Sequence, residues 1–269
     1  MSTIIKRDKA QRFPVPMPDD LNQSPRLFVA DDLRKDAKLT LEQGQAHYLQ
    51  NVMRLKVNDP LRLFNGRDGE WHAEAAEISK RSFVVSTVVR IKPQKSEPDL
   101  WLCCAPIKKA HFDYMLEKAT ELGAAVIQPL LTARTQIREL NIERARAICI
   151  ESAEQSERMS VPEIRKPVTL KEFIAPFPSG RTLIVCAEWG EAEPVRDALE
   201  KNRTTISRSA IATGPEGGFS GEELEMLKTV NPSLFVRLGP RILRADTAAM
   251  AALSCWQAIC GDWNQNPRN

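Results

Sequence analysis

No apolar run in the chain approaches the roughly 20 residues needed to span a bilayer, so a membrane-spanning helix is excluded and a soluble protein with no membrane partner is expected. There is no CxxC pair and no secretion signal. The six cysteines, at 103, 104, 149, 186, 255 and 260, sit mostly within apolar runs and read as structural thiols of a reducing cytoplasm, not as disulfides or zinc ligands. Histidine is scarce, and positions 47, 72 and 111 are too scattered for a metal site, so no metal is expected. Ile4-Ile5-Lys6-Arg7 would suit a targeting peptide, but Asp8, Asp19 and Asp20 argue against one, and the localisation expected is cytoplasmic. No internal repeat is visible.

What is present suits two globular domains. At 269 residues the chain exceeds the usual single-domain size, and its 42% hydrophobic and 27% charged content is ordinary for a globular protein. The net charge of +3 is unevenly spread: residues 24–96 hold 13 Lys+Arg against 9 Asp+Glu, whereas residues 97–269 hold 21 against 23. A basic surplus in the N-terminal part suits RNA docking, although a solvated lysine-rich face has the same composition.

Residues 1–23, with three prolines and no periodicity, read as a disordered tail. From Arg26 the pattern is rich in strands. Leu27–Ala30, Leu61–Phe64, Glu70–Ile78 and Phe83–Ile91 are expected strands and Glu42–Met53 a helix, with turn chemistry at Asn65-Gly66 and Asp68-Gly69. Together they make residues 24–92 a small β-barrel. Residues 93–99 read as a linker. In residues 100–263 strands and helices alternate: strands at Leu100–Ala105, Ala125–Leu131 and Arg181–Ala187, and helices at Lys109–Leu122, Asn141–Glu157 and Glu191–Lys201. Such alternation implies an α/β domain with a parallel sheet covered on both faces. Residues 264–269 are a short C-terminal tail.

The chemistry concentrates near the C-terminus. Gly214-Pro215-Glu216-Gly217-Gly218 follows a buried strand, Ser209–Thr213, and precedes Ser220, which stands three residues before Glu223 at capping-box spacing. A second strand, Leu234–Leu238, leads into Gly239-Pro240-Arg241-Ile242-Leu243-Arg244, and Asp246 is expected to cap a final helix through Cys260 that is apolar nearly all round. Backbone can approach a ligand closely at glycine loops of this kind. Read from the residues alone, Gly217-Gly218 is more often an ordinary turn than a ligand loop, and Leu238, Ile242 and Leu243 are core positions.

The combination of GPEGGFS, about twenty residues of helix and strand, and LGPRILRADTA resembles the ribosomal-RNA small-subunit methyltransferase E family, uridine N3-methyltransferases of the SPOUT class. The resemblance extends, more loosely, from Arg26 to about Trp263. It implies a C-terminal SPOUT α/β trefoil-knot domain that holds S-adenosylmethionine in a bent shape, preceded by a PUA-like RNA-binding barrel. It also implies donor contacts at Ala187 and Glu188, at Gly214, Pro215, Glu216, Gly217 and Gly218, and at Leu238, Gly239, Ile242, Leu243 and Arg244. A side chain at Gly217 is then expected to fill space the donor needs.

Uridine N3 carries a proton at neutral pH, so catalysis must favour its anion. Arg244, a permanent guanidinium, is the first candidate for that task, with Thr247 beside it. Glu216 and Asp246 are the alternatives for the proton acceptor, and the family's usual Glu in place of Asp246 weakens the case for that position. Arg26, His47, Arg54, Lys108, Lys109, Arg134, Gln155 and Arg158 are the RNA-contact candidates. His47 and Arg54 match a family pattern around Val52, and Asn58 stands where glycine is usual, in a turn Asn tolerates. Lys108 and Lys109 are equally well read as surface lysines, and Arg158 as a complement to a helix C-terminus. The expected partners are small-subunit ribosomal RNA or the assembled small subunit, and a second copy of the chain across the apolar final helix. Two rival readings remain at this point: a SPOUT enzyme acting on a ribose 2′-hydroxyl or on transfer RNA, and a non-catalytic RNA-binding assembly factor.

Overall fold

The structure, a computed structural model, describes residues 19–79, 82–187 and 191–265. It divides into two units, with the boundary between Lys95 and Ser96.

The N-terminal unit is built on a five-stranded sheet. Its strands are β1 (Arg26–Phe28), β2 (Lys38–Thr40), β3 (Pro60–Phe64), β4 (Glu70–Ile78) and β5 (Phe83–Lys92), in the order β1-β3-β4-β5-β2. Only β1–β3 is parallel. Register shifts along β4–β5 bend the sheet, and residues from both edge strands, Leu27 and Leu39, enter the core that Leu61, Leu63, Phe83 and Val85 fill from the centre. The sheet therefore wraps one core, as the alternation in Phe83–Ile91 predicts. The short edge strand β2 has no counterpart among the strands expected from sequence, because three residues are too few to show a period.

A one-turn helix, α1 (Asp19–Asn22), precedes β1, with Leu21 buried. The structureless tail expected over residues 1–23 therefore ends sooner: residues 1–18 lie outside the described residues, and Leu21 gives the turn an apolar anchor. The helix expected over Glu42–Met53 is α2 (Gln43–His47), which passes into a π-turn at Tyr48–Val52. Asn58 does adopt the left-handed conformation, at φ 74°.

The buried centre of this unit is ionic. Glu70 is fully buried, and Arg26 Nε, Arg62 Nη1 and Lys92 Nζ approach its carboxylate at 3.4, 3.3 and 3.5 Å. The Arg26 guanidinium also lies 3.7 Å over the Phe64 ring.

The C-terminal unit is a parallel sheet of β6 (Leu100–Cys104), β7 (Val126–Leu131), β8 (Glu163–Ile164), β10 (Thr182–Cys186), β11 (Glu193–Pro194), β12 (Ser209–Thr213) and β13 (Ser233–Arg237), with β9 (Val168–Thr169) pairing β7. The order is β11-β13-β10-β12-β6-β7-β8. All five residues of β6 are buried, Leu100, Leu102 and Cys104 on one face and Trp101 and Cys103 on the other. The first face is covered by α3 (Lys109–Glu121), α4 (Ile142–Gln155), α6 (Val195–Asn202) and α8 (Ala245–Ile259), and the second by α5 (Leu170–Ile174) and α7 (Gly221–Lys228).

Three local outcomes bear on the site. The Ser220 capping box forms in full, Ser220 Oγ accepting from the Glu223 N–H and Glu223 returning to the Ser220 N–H at 2.8 Å. The last residue of the expected linker is tied to the sheet: Arg181 holds the Asp99 carboxylate at 2.7 and 2.8 Å, Arg208 Nε reaches it at 2.8 Å, and the Asp99 carbonyl accepts from the Ser209 N–H. Finally, α8 packs against α3 and α6 above β12 and β6. The chain itself covers Ala245, Ala249, Ala252, Leu253 and Trp256 of α8, while Ala248, Met250, Ala251 and Ser254 are half-buried and Ala258 is exposed, so part of the surface expected to meet a second copy stays open.

Candidate active site

Three adjacent parallel strands, β13, β10 and β12, end on one side of the sheet, and each continues into a segment that the sequence singled out. A crevice outside the carboxyl ends of such strands is where open α/β sheets bind ligands. Here it is a cavity of about 420 Å³. Cys186 and Ala187 line it after β10, Gly214 to Phe219 after β12, and Leu238 to Leu243 after β13, with Ala245 and Ala248 from α8 and Arg134 from the loop after β7. Every donor-contact residue expected from the sequence lies in this lining except Glu188, which falls outside the described residues, and Arg244.

The glycines have separable roles. Gly218, at φ 67°, and Gly239, at φ 96°, occupy conformations that side chains disfavour. Gly214 is needed for space: a Cβ there would stand 3.0 Å from the Gly218 carbonyl carbon and 3.1 Å from its Cα, both backbone atoms. Gly217 corrects its expectation. A Cβ on it would meet Arg134 Cδ at 2.9 Å, so the space it leaves is taken by an arginine side chain. Arg134 Nη1 donates to the Gly217 carbonyl across that gap.

The second loop leads to α8. Arg244 occupies the N-cap position with extended backbone (φ −62°, ψ 155°), and its exposed side chain makes no capping bond. The expected cap, Asp246, sits instead in the first turn, where a carboxylate still complements the helix dipole. Its Oδ1 accepts from the Thr247 N–H at 2.8 Å, and Oδ2 lies 2.8 Å from His111 Nδ1 at the start of α3. Burial works to raise the Asp246 carboxyl, but the hydrogen bonds to His111 and Thr247 outweigh it and hold it below its ordinary value of 3.8. The pair thus stabilises the fold above that pH and loses its contribution as pH falls through the lowered value. A carboxylate so engaged, about 100° around α8 from Ala245 in the cavity wall, is a poor proton acceptor for a cavity ligand. Sequence reasoning missed His111 because its partner lies far along the chain and nothing local announces the pairing.

Cys186 also lines the cavity, but burial pushes its thiol up to about 12, so it is neutral and unsuited to nucleophilic attack at pH 7. Among the described residues no group of three His, Cys, Asp or Glu side chains could hold a metal ion, and no helix is long and apolar enough to cross a membrane.

The expected RNA contacts divide. His47, Arg54, Lys108, Lys109, Arg134 and Gln155 are exposed or lie on the cavity rim. Two expectations are corrected. Arg26 is buried in the cluster around Glu70, where no nucleic acid reaches it. Arg158 is also buried, and its guanidinium donates to the carbonyls of Thr120 and Ala124 at 2.6 and 3.1 Å. It satisfies the C-terminal end of α3, which is the helix-complement alternative applied to a neighbouring helix. Both arginines read as surface residues because sequence does not show which charges have internal partners.

Residues 94–257 match the RNA methyltransferase domain family, and residues 41–88 the RNA methyltransferase PUA domain family. The chain is 36% identical to ribosomal RNA small subunit methyltransferase E of Rickettsia conorii over 232 residues, covering 85% of this chain and 93% of that protein. It is 34% identical to the protein of the same name from Synechocystis sp., covering 87% of this chain and 77% of that one. Among solved structures it is similar to ribosomal RNA small subunit methyltransferase E from Neisseria gonorrhoeae bound to S-adenosyl methionine, with a TM-score of 0.81 at 26% identity, over 90% of this chain and all of that one.

Proposed function

Because the chain belongs to the ribosomal RNA small subunit methyltransferase E family, we propose that it transfers a methyl group from S-adenosylmethionine to N3 of a uridine in small-subunit ribosomal RNA. Its fold is a SPOUT-class α/β domain preceded by a PUA-like unit. The observation that carries the reading is the convergence of both glycine loops and the end of β10 on one cavity.

The residues present fit the donor. The cavity has the volume of a small-molecule site, and its walls combine apolar side chains with open loop backbone, which can meet an adenine edge without a metal. When bound, S-adenosylmethionine supplies an electrophilic methyl group on a sulfonium sulfur. The protein must hold the uridine as its N3 anion in line with that methyl. Arg244, exposed at the cavity-side end of α8, stabilises the anion through a guanidinium that stays charged at every working pH. Thr247 adds a hydroxyl in the first turn of α8, and Glu216 in the cavity wall is the remaining carboxylate candidate for accepting the proton.

RNA docks on the N-terminal unit through exposed groups such as His47 and Arg54, and on the α/β unit through Lys108, Lys109 and Gln155. The enzyme acts in the cytoplasm as a homodimer whose two-fold contact lies along the open strip of α8. Sedimentation as a stable monomer at micromolar concentration would remove that last element alone.

The test is to incubate the protein with labelled S-adenosylmethionine and free small-subunit ribosomal RNA, assembled subunits or transfer RNA, digest the RNA, and identify the methylated nucleoside by mass spectrometry. The expected product is 3-methyluridine. Label in a 2′-O-methylated nucleoside, label only in transfer RNA, or donor binding without transfer to any RNA would overturn the reading.

A further inference from the structure

Resting on the donor reading above, we infer that Arg134 holds the carboxylate of the donor's amino-acid end, and so sets the enzyme's preference for a donor that carries one.

A carboxylate entering a cavity with mostly apolar walls needs a cationic or multiple-donor partner, since leaving it unpaired costs several kcal/mol. Three cationic side chains line this cavity: Arg134, Arg237 and Arg241. Arg237 is committed, its Nη1 donating to the Ala192 carbonyl at 2.6 Å. Arg241 is exposed on the tip of the second loop, with no contact that fixes its guanidinium among the described residues.

Arg134 is held from both ends. Its loop is closed by Thr132 and Thr135, the Thr132 N–H meeting Thr135 Oγ1 at 2.9 Å. The adjacent Ala133 N–H donates to Glu223 Oε1 at 2.6 Å, and Glu223 is the capping-box carboxylate of α7, the helix that follows the first glycine loop. At the other end the side chain lies over Gly217, where only a missing Cβ gives it room, and donates to the Gly217 carbonyl. That bond uses one of five guanidinium donors. The others have no protein partner among the described residues and stand at the cavity rim. A neutral carbonyl is a weaker partner for them than a carboxylate, which a guanidinium takes in bidentate fashion. The arrangement is a cation positioned in advance, with free donors facing the space where an anionic group must be met.

The experiment is calorimetry on the full chain with S-adenosylmethionine and with its decarboxylated analogue, for the wild type, Arg134→Gln and Arg134→Lys. The wild type should bind S-adenosylmethionine about 10- to 100-fold more tightly than the analogue, the range expected for a hydrogen-bonded charge. Arg134→Gln should lose most of that margin on S-adenosylmethionine while its affinity for the analogue stays unchanged. Arg134→Lys should fall between, keeping the charge without the fork. Gly217→Ala, whose Cβ displaces the Arg134 side chain, should repeat the Arg134→Gln pattern. Equal loss for both ligands in Arg134→Gln, or no loss for either, would overturn the assignment. A wild type that binds neither ligand would instead remove the donor reading on which the assignment rests.

Discussion

The two units bury charge in different ways. In the N-terminal unit Arg26, Arg62 and Lys92 gather round a fully buried Glu70, while Tyr48, Val52, Met53, Val57 and Val89 face solvent. In the C-terminal unit both faces of the sheet pack on apolar side chains, and the buried arginines are met singly: Arg158 by backbone carbonyls, Arg181 by carbonyls and the Asp99 carboxylate. The difference corrects what a charge count teaches. Setting aside the four residues of the cluster, residues 24–96 keep ten Lys+Arg against eight Asp+Glu, so the basic surplus free to meet RNA is half of what composition gives. A count of charges measures a surface only after internal pairing has been subtracted.

The largest expected effect tests the buried side of this contrast. Glu70→Ala leaves three cations around an empty centre, and removing one partner of a buried ionic group typically costs about 3–5 kcal/mol. Chemical denaturation should show a loss of that size, with donor affinity of the intact protein unchanged because the cavity belongs to the other unit. A loss under 1 kcal/mol would mean that the cluster is hydrated and that the contrast is overstated. Next in size is Arg244→Ala. Removing a group that stabilises developing charge lowers turnover by about 10²–10³. Methyl transfer at saturating RNA should fall by that factor while donor affinity is retained, since Arg244 is not part of the cavity lining. Near-normal turnover would reduce Arg244 to the start of a helix.

The units also differ in how far they were legible. In the α/β unit the apolar runs Leu100–Ala105 and Arg181–Ala187, the Ser220 capping box and both glycine loops were readable because each is a local signal, and local signals fix where a parallel strand ends. The cavity follows once those ends are side by side. What stayed hidden were pairings between distant residues: His111 with Asp246, Arg134 with Gly217, and Arg158 with the carbonyls of α3. In the barrel the longer strands were legible by alternation, but β2 and the ionic centre were not, since nothing local shows that Arg26, Arg62 and Glu70 meet inside.

A smaller effect separates the two kinds of glycine in the cavity wall. The Cβ of Gly214→Ala meets the backbone of Gly218 and Phe219, which cannot swing aside as a side chain does, so the loop must widen. Overpacking of this sort costs about 1–3 kcal/mol, or roughly 5- to 150-fold in affinity. The loss should be the same for S-adenosylmethionine and its decarboxylated analogue, because the whole cradle moves. A loss confined to the carboxylate-bearing donor would show that Gly214 acts through Arg134.

The smallest effect lies in the N-terminal unit, at Arg54. Its backbone is left-handed, at φ 58°, directly after the π-turn, and its side chain is exposed. A left-handed residue other than glycine carries about 1–2 kcal/mol of steric cost, and nothing in the core requires a long side chain here. Strain kept at an exposed cation suits a residue retained for what it touches. Arg54→Gly relieves the steric cost but adds about 0.5–1 kcal/mol of backbone entropy to be lost on folding, so the net change should be a gain of about 0.5 kcal/mol. If Arg54 meets a phosphate, the same substitution should weaken RNA binding uniformly and reduce the slope of log affinity against log salt by about 1. Arg54→Lys should keep the slope and the strain together. A glycine variant that gains stability with RNA affinity and salt slope unaltered would leave the basic surface of this unit without its most strained member, and would move RNA docking to the lysines at the start of α3.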